Sequence, residues 1–131
     1  MLVRNITTKF GENAGKIWTN LEQEGESKEK TLLKTTKLNK KDFYTGLGWL
    51  ARENKIRKDN NRYQLGDTNL DESVGTVAGR IWKILDIWEE ADVVTLKKLA
   101  DVPEEDVYAA LGWLGREDKI IIDQRQNYRL K

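Results

Sequence analysis

Tyr44-Thr45-Gly46-Leu47-Gly48-Trp49-Leu50-Ala51-Arg52-Glu53 returns 64 residues later as Tyr108-Ala109-Ala110-Leu111-Gly112-Trp113-Leu114-Gly115-Arg116-Glu117. Working upstream, Gly11, Ala14, Gly15, Ile17, Trp18 and Leu21 return at the same offset as Gly75, Ala78, Gly79, Ile81, Trp82 and Leu85, and Thr31-Leu32 returns as Thr95-Leu96. Downstream, Lys55-Ile56 and Asp59 match Lys119-Ile120 and Asp123; one inserted residue then brings Tyr63 and Leu65 opposite Tyr128 and Leu130. The repeated unit is a whole domain, and the insertion marks a turn that tolerates a change of length. The pattern predicts a first copy over 1–66, a polar linker over 67–74 and a second copy over 75–131.

Within the first copy, Phe10, Ala14, Ile17, Trp18 and Leu21 recur at the spacing of a helix with one buried stripe. Gly25 is the expected end of that helix, and residues 1–9 read as an arm or short strand. Thr31-Leu32-Leu33 reads as a short strand leading into a second helix up to about Lys37. Asn39 is a good N-cap for a third helix in which Phe43, Leu47 and Leu50 face the core; Pro103 opens its counterpart, as proline can in a first turn. After Glu53 two short alternating runs flank Asp59-Asn60-Asn61, a hairpin signal that the second copy repeats around Gln124 to Gln126. Each copy thus reads helix, short strand, helix, helix, hairpin, an α+β arrangement that is mainly helical.

That order is the winged helix-turn-helix. The segments Gly11-x-x-Ala14-Gly15-x-Ile17-Trp18 and Leu47-Gly48-Trp49-Leu50-Ala51-Arg52-Glu53-x-Lys55-Ile56 resemble a family of short, largely uncharacterised prokaryotic winged-helix proteins. The likeness covers most of both copies, although Gly115 replaces the alanine and the first helix of the second copy is more apolar. The resemblance implies tandem winged helix-turn-helix domains and, by analogy alone, nucleic-acid binding, since the same fold also serves as a protein-interaction module.

Each copy is near the roughly 60-residue lower limit at which one hydrophobic core is stable without staples. The chain has no cysteine to supply a disulfide, so packing of the copies on each other is the remaining source of stability. Of the 131 residues 38% are hydrophobic and 34% charged, with a mean hydropathy of −0.72. No apolar run approaches the roughly 20 residues of a membrane helix. Met1 to Ile6 lacks a signal peptide's apolar segment, and the cytoplasm is the expected compartment. Without His or Cys, and without a phosphate-binding GxxxxGK[ST] loop, neither a catalytic base nor a cofactor or metal site can be nominated, and no enzyme is expected. Asp67-x-Asn69-x-Asp71 imitates the start of a calcium loop, but Glu72 and Ala78 stand where glycine and glutamate are required.

The net charge of +1 conceals an asymmetry. Residues 1–66 hold 14 basic and 8 acidic side chains, a balance of +6, and residues 67–131 hold 9 and 14, a balance of −5. Such a division points to a polyanion partner for one half or to attraction between the halves. For double-stranded DNA, and hence transcriptional regulation, the candidate contacts lie in the first copy. Lys41, Thr45, Gly48 and Arg52 fall opposite the core stripe of the third helix, the face that enters the major groove in helix-turn-helix proteins. Lys34, Lys37, Lys40, Arg57, Lys58 and Arg62 are placed to reach flanking phosphates. In the second copy the equivalent positions include Glu104 and Glu105, which phosphate would repel.

The rival expectation is an intramolecular pseudo-dimer or a partner interface, with a homo-oligomer as a further possibility. Gly11 and Gly15, like Gly75 and Gly79, place small residues four apart off the core stripe, where a helix or a flat ring could approach. Trp49 and Trp113 fall beside the outward face of the third helix, and Ile84, Ile87 and Trp88 widen the apolar face where the first copy has Asn20, Gln23 and Glu24. Docking through the third helix would cover the surface that DNA needs, so the two expectations compete.

Overall fold

A computed structural model describes residues 3–4 and 6–131. The elements are β1 (Val3–Arg4), α1 (Ile6–Glu24), β2 (Ser27–Lys28), α2 (Glu29–Thr36), α3 (Lys40–Arg52), β3 (Ile56–Asp59) and β4 (Arg62–Leu65). The second half supplies α4 (Asp71–Trp88), α5 (Val93–Ala100), α6 (Glu104–Arg116), β5 (Ile120–Asp123) and β6 (Tyr128–Leu130). Two antiparallel sheets result, ordered β2-β4-β3 and β1-β5-β6. The fold is two winged helix-turn-helix units, α+β and mainly helical. No described helix is long and apolar enough to cross a membrane.

Local chemistry accounts for most boundaries. Asn39 Oδ1 accepts a 2.8 Å hydrogen bond from the Asp42 N–H at the start of α3, and Asp92 Oδ1 accepts one of 2.9 Å from Thr95 N–H at the start of α5. Each satisfies an amide that the helix itself leaves free. The β3–β4 turn places Asn60 and Asn61 at φ 51° and 64°, the left-handed pair that a two-residue hairpin requires. The longer β5–β6 turn is organised by Asp123, whose Oδ1 accepts from the N–H groups of Arg125 (2.8 Å) and Asn127 (3.0 Å). Those two amides, Asn127 foremost, and the Arg129 guanidinium hold the Asp123 carboxyl below the usual carboxylate range.

Three expectations are corrected. Helix α1 starts at Ile6, because Ile6, buried like Phe10, extends the apolar stripe by one turn. Of the arm read at residues 1–9, only Val3–Arg4 is a strand, and residues 1, 2 and 5 lie outside the described residues. Thr31-Leu32-Leu33 is helical, with Leu32 wholly buried; the strand lies earlier, where Ser27 pairs with Tyr63. A short apolar run fits either period, and only the wing could select which residues pair with it. Helix α4 begins at Asp71, inside the stretch read as linker. Of the remaining linker residues, Asn69 bonds both the N–H (2.9 Å) and the carbonyl (2.8 Å) of Lys58, covering the free edge of β3 with a side chain.

The two cores are not confined to their own halves. Ile6 and Phe10, from α1, belong to the cluster built on Ile81, Leu85, Leu96, Val107 and Leu111 of the second half. Val74 and Ala109 join the cluster of Ile17, Leu32, Phe43, Leu47 and Ile56 in the first. Val74 is the 64-residue counterpart of Phe10, so the exchange is reciprocal: each unit contributes the start of its first helix to its sister's core. Burying a residue of this kind stabilises by roughly 1.5–3 kcal/mol.

Candidate functional site

Helix α3 meets α6 along the face that lies opposite its own core stripe. The contact is backbone to backbone: a Cβ added at Gly48 would overlap the carbonyl oxygen of Ala109, and one added at Gly112 would overlap the carbonyl oxygen of Thr45. Since Gly48 corresponds to Gly112 and Thr45 to Ala109, the seam has nearly twofold symmetry, as in an isologous dimer built within one chain. Only glycine permits such an approach at these two positions.

The flanks of the seam repeat the same symmetry. Trp49 packs on Gly11 of its own half, where an added Cβ would lie 3.3 Å from the indole ring, and Trp113 packs on Gly75, at 3.2 Å. The guanidinium of Arg116 lies 5.6 Å from the Trp49 ring centre and that of Arg52 lies 5.7 Å from Trp113. Arg52 donates to Glu117 (3.1 Å) and Arg116 to Glu53 (3.0 Å). These pairs are partly exposed, so each ion pair adds no more than about 1 kcal/mol and each ring contact about 0.5–1 kcal/mol. Their larger effect is to fix how the helices cross.

One polar pair lies inside the first half beside the seam. Asn13 and Thr45 are both wholly buried, and Asn13 Nδ2 donates to Thr45 Oγ1 at 3.1 Å. The second half has Val77 and Ala109 at the same positions. Thr45→Ala alone strands the Asn13 amide and should lower stability by about 1–3 kcal/mol, whereas Asn13→Val with Thr45→Ala should restore most of the loss. Urea unfolding of the three variants measures both terms, and a double variant no better than the single one would refute the account.

The candidate DNA contacts divide. Thr45 is inaccessible, and Gly48 is pressed against α6. Arg52 is held by Glu117 and Trp113. Arg57 is bound to Asp59 (2.7 Å), which holds the Asp59 carboxyl below its usual range, and Lys58 lies 5.3 Å from the Tyr63 ring centre. Lys34, Lys37, Lys40 and Arg62 are exposed, while Lys41 is half-buried. Lys40 and Lys41 share a cleft of about 390 Å³ with Glu104 and Glu105, lined also by Tyr44 and Tyr108. Opposite charges from the two halves therefore line one cleft.

The interface candidates also divide. Trp49, Trp113, Gly11 and Gly75 flank the seam, but the glycines receive the indole of their own half rather than the sister helix. Gly15 and Gly79 face open space, so the expectation that both glycines of each stripe sit in the contact is corrected. Ile84 is half-buried against the second core. Ile87 and Trp88 do not enter the seam at all: they are 76% and 56% exposed. Phe10 and the Arg–Glu pairs were missed as seam residues. The repetition of Trp-x-x-Arg-Glu at both helix ends was the available signal, since two copies that pair through this face must each keep both partners.

A family model for the winged helix-turn-helix domain (DUF2582) matches residues 5–65 and again residues 70–130. No curated protein and no solved structure matches the chain.

Proposed function

The chain belongs to the winged helix-turn-helix domain family (DUF2582) in both of its halves, and from that premise we propose that it is a protein-interaction module whose two recognition helices are spent on each other. The observation that carries this reading is the contact of Gly48 with Ala109 and of Gly112 with Thr45. In the helix-turn-helix mode the outer face of the recognition helix enters a major groove about 12 Å wide. Here that face is covered by another helix at backbone distance, and opening it would expose both cores. On this reading the module acts by binding a partner.

A second reading is double-stranded DNA binding through the first half, in transcriptional regulation, and one observation favours it. Lys34, Lys37 and Lys40 are exposed and carry no ion pair among the described residues. They could contact phosphates without reading bases. Fluorescence anisotropy of a labelled random-sequence duplex at about 50 and 200 mM salt separates the two, because several phosphate contacts change affinity by decades over that range. An interaction module leaves the anisotropy flat at both salts. Micromolar binding that collapses at the higher salt, and is lost in Lys40→Glu/Lys41→Glu, would overturn the proposal in favour of DNA.

A further inference from the structure

The cleft of about 390 Å³ between the first turns of α3 and α6 has walls of opposite charge. Helix α3 lines it with Lys40, Lys41 and Tyr44, and α6 with Glu104, Glu105 and Tyr108. The walls attract each other but do not close: Lys40, Lys41 and Glu105 make no hydrogen bond or ion pair among the described residues.

Local stability does not account for the lysines. The first turn of a helix favours acids, as Glu104 and Glu105 illustrate at the equivalent positions of α6, and Lys40 and Lys41 reverse that preference. The other charged groups nearby are engaged. Asp42 pairs with Lys9 at 3.8 Å, Glu29 accepts from the Tyr44 hydroxyl, Asp106 feels the charge of Lys58, and Glu104 interacts with the Tyr108 hydroxyl. Two ammonium groups on one wall and the Glu105 carboxylate on the other are left without partners. Tyr44, Tyr108 and Pro103 give the rest of the lining its apolar ring surface. A cleft of this volume, largely apolar with a few charged groups converging on it, suits a small molecule. A plain anion would meet Glu105 and a plain cation would meet the lysines, so the ligand that satisfies both walls carries both charges.

We infer that this cleft binds a small zwitterion, an α-amino acid with an apolar side chain. Its carboxylate faces Lys40 and Lys41, its ammonium faces Glu105 with Glu104 beside it, and its side chain lies against Tyr44, Tyr108 and Pro103. The site goes beyond the interaction-module reading and needs only the closed seam, because each half contributes one wall. A ligand held by both walls binds the folded chain alone, so its occupancy stabilises the docking of the two halves.

The test is calorimetric titration of the intact chain with free leucine and phenylalanine, with N-acetyl-leucine and leucinamide as ligands that each keep one charge. The variants Lys40→Gln/Lys41→Gln and Glu104→Gln/Glu105→Gln neutralise one wall each, at residues outside both cores. The expected result is saturable binding of at least one free amino acid, weakened about tenfold or more by either variant and by either blocking group. Removing the same contact twice should cost no more than removing it once, so leucinamide should not distinguish the lysine variant from the wild type, nor N-acetyl-leucine the glutamate variant. The blocked ligands read the same contacts without altering the chain, so a variant that folds poorly does not decide the matter. No saturation by either amino acid at about 10 mM, ten times a millimolar Kd, would overturn the inference. So would blocked ligands that bind as tightly as free leucine, or folded variants that bind as the wild type does.

Discussion

Gly48→Ala is expected to lower stability by more than about 3 kcal/mol, the upper end of what overpacking costs, because the added methyl meets main chain that cannot rotate away. The Ala109 carbonyl is part of α6, so relief requires the two helices to separate. Alanine's advantage over glycine in a helix, about 1 kcal/mol, acts in the opposite direction and is too small to compensate. Against a total stability of about 5–15 kcal/mol, the melting temperature should fall by about 10 °C or more. Gly15→Ala is the matched control: it makes the same change in a helix whose glycine faces open space, and it should be neutral or slightly stabilising. Calorimetry of both variants reads the difference directly. If Gly48→Ala melts no lower than Gly15→Ala, the seam is not at backbone distance and the recognition face is free.

Phe10→Ala should cost about 3–5 kcal/mol, as removal of a buried ring usually does, and the cost should be felt in the half to which Phe10 does not belong. Phe10 is 4% exposed and sits in the cluster of Ile81, Leu85 and Leu111. A Cβ on Gly115 would lie 2.7 Å from its Cδ2 atom. The reciprocal site has a smaller residue, Val74, in the same cluster as Ala51. Large against glycine on one side, and medium against alanine on the other, makes the halves complementary and not interchangeable. Gly115→Ala should therefore destabilise, and adding Phe10→Val, which reproduces the valine–alanine combination of the other side, should recover part of the loss. Hydrogen exchange reads where the effect falls. Phe10→Ala should speed exchange of the α6 amides and leave a single cooperative unfolding transition, because neither core is complete without the other half. A variant in which the second half keeps wild-type protection would contradict the exchanged-core arrangement.

The repeat, the element order, the Asn39 cap and both hairpins were legible in the chain, because each rests on interactions between near neighbours. A side-chain oxygen reaching an amide three residues on, or a left-handed Asn pair in a tight turn, involves few alternatives. The same holds for the core stripe of α3, where Phe43, Leu47 and Leu50 follow the helical period and are buried as that period implies. Electrostatic asymmetry was legible as a number but not as a use. Lys40 and Lys41 facing Glu104 and Glu105 depend on which surfaces of two distant helices come together.

What covers the opposite face of α3 lay beyond local reading for a physical reason. Thr45, Gly48 and Arg52 form a small, partly charged stripe that could receive a phosphate backbone, an indole ring or a second helix equally well. Periodicity tells a helix which side is apolar, but it carries no term for a partner more than sixty residues away. The choice was made by fit between the halves: glycine against carbonyl twice over, Phe10 filling the space that Gly115 leaves, and each arginine meeting the other half's tryptophan and glutamate. The amino-acid order alone was enough to define two winged helices; that they close on each other through their recognition helices, leaving Ile87, Trp88 and Val94 outward, follows from packing that exists only once both are folded.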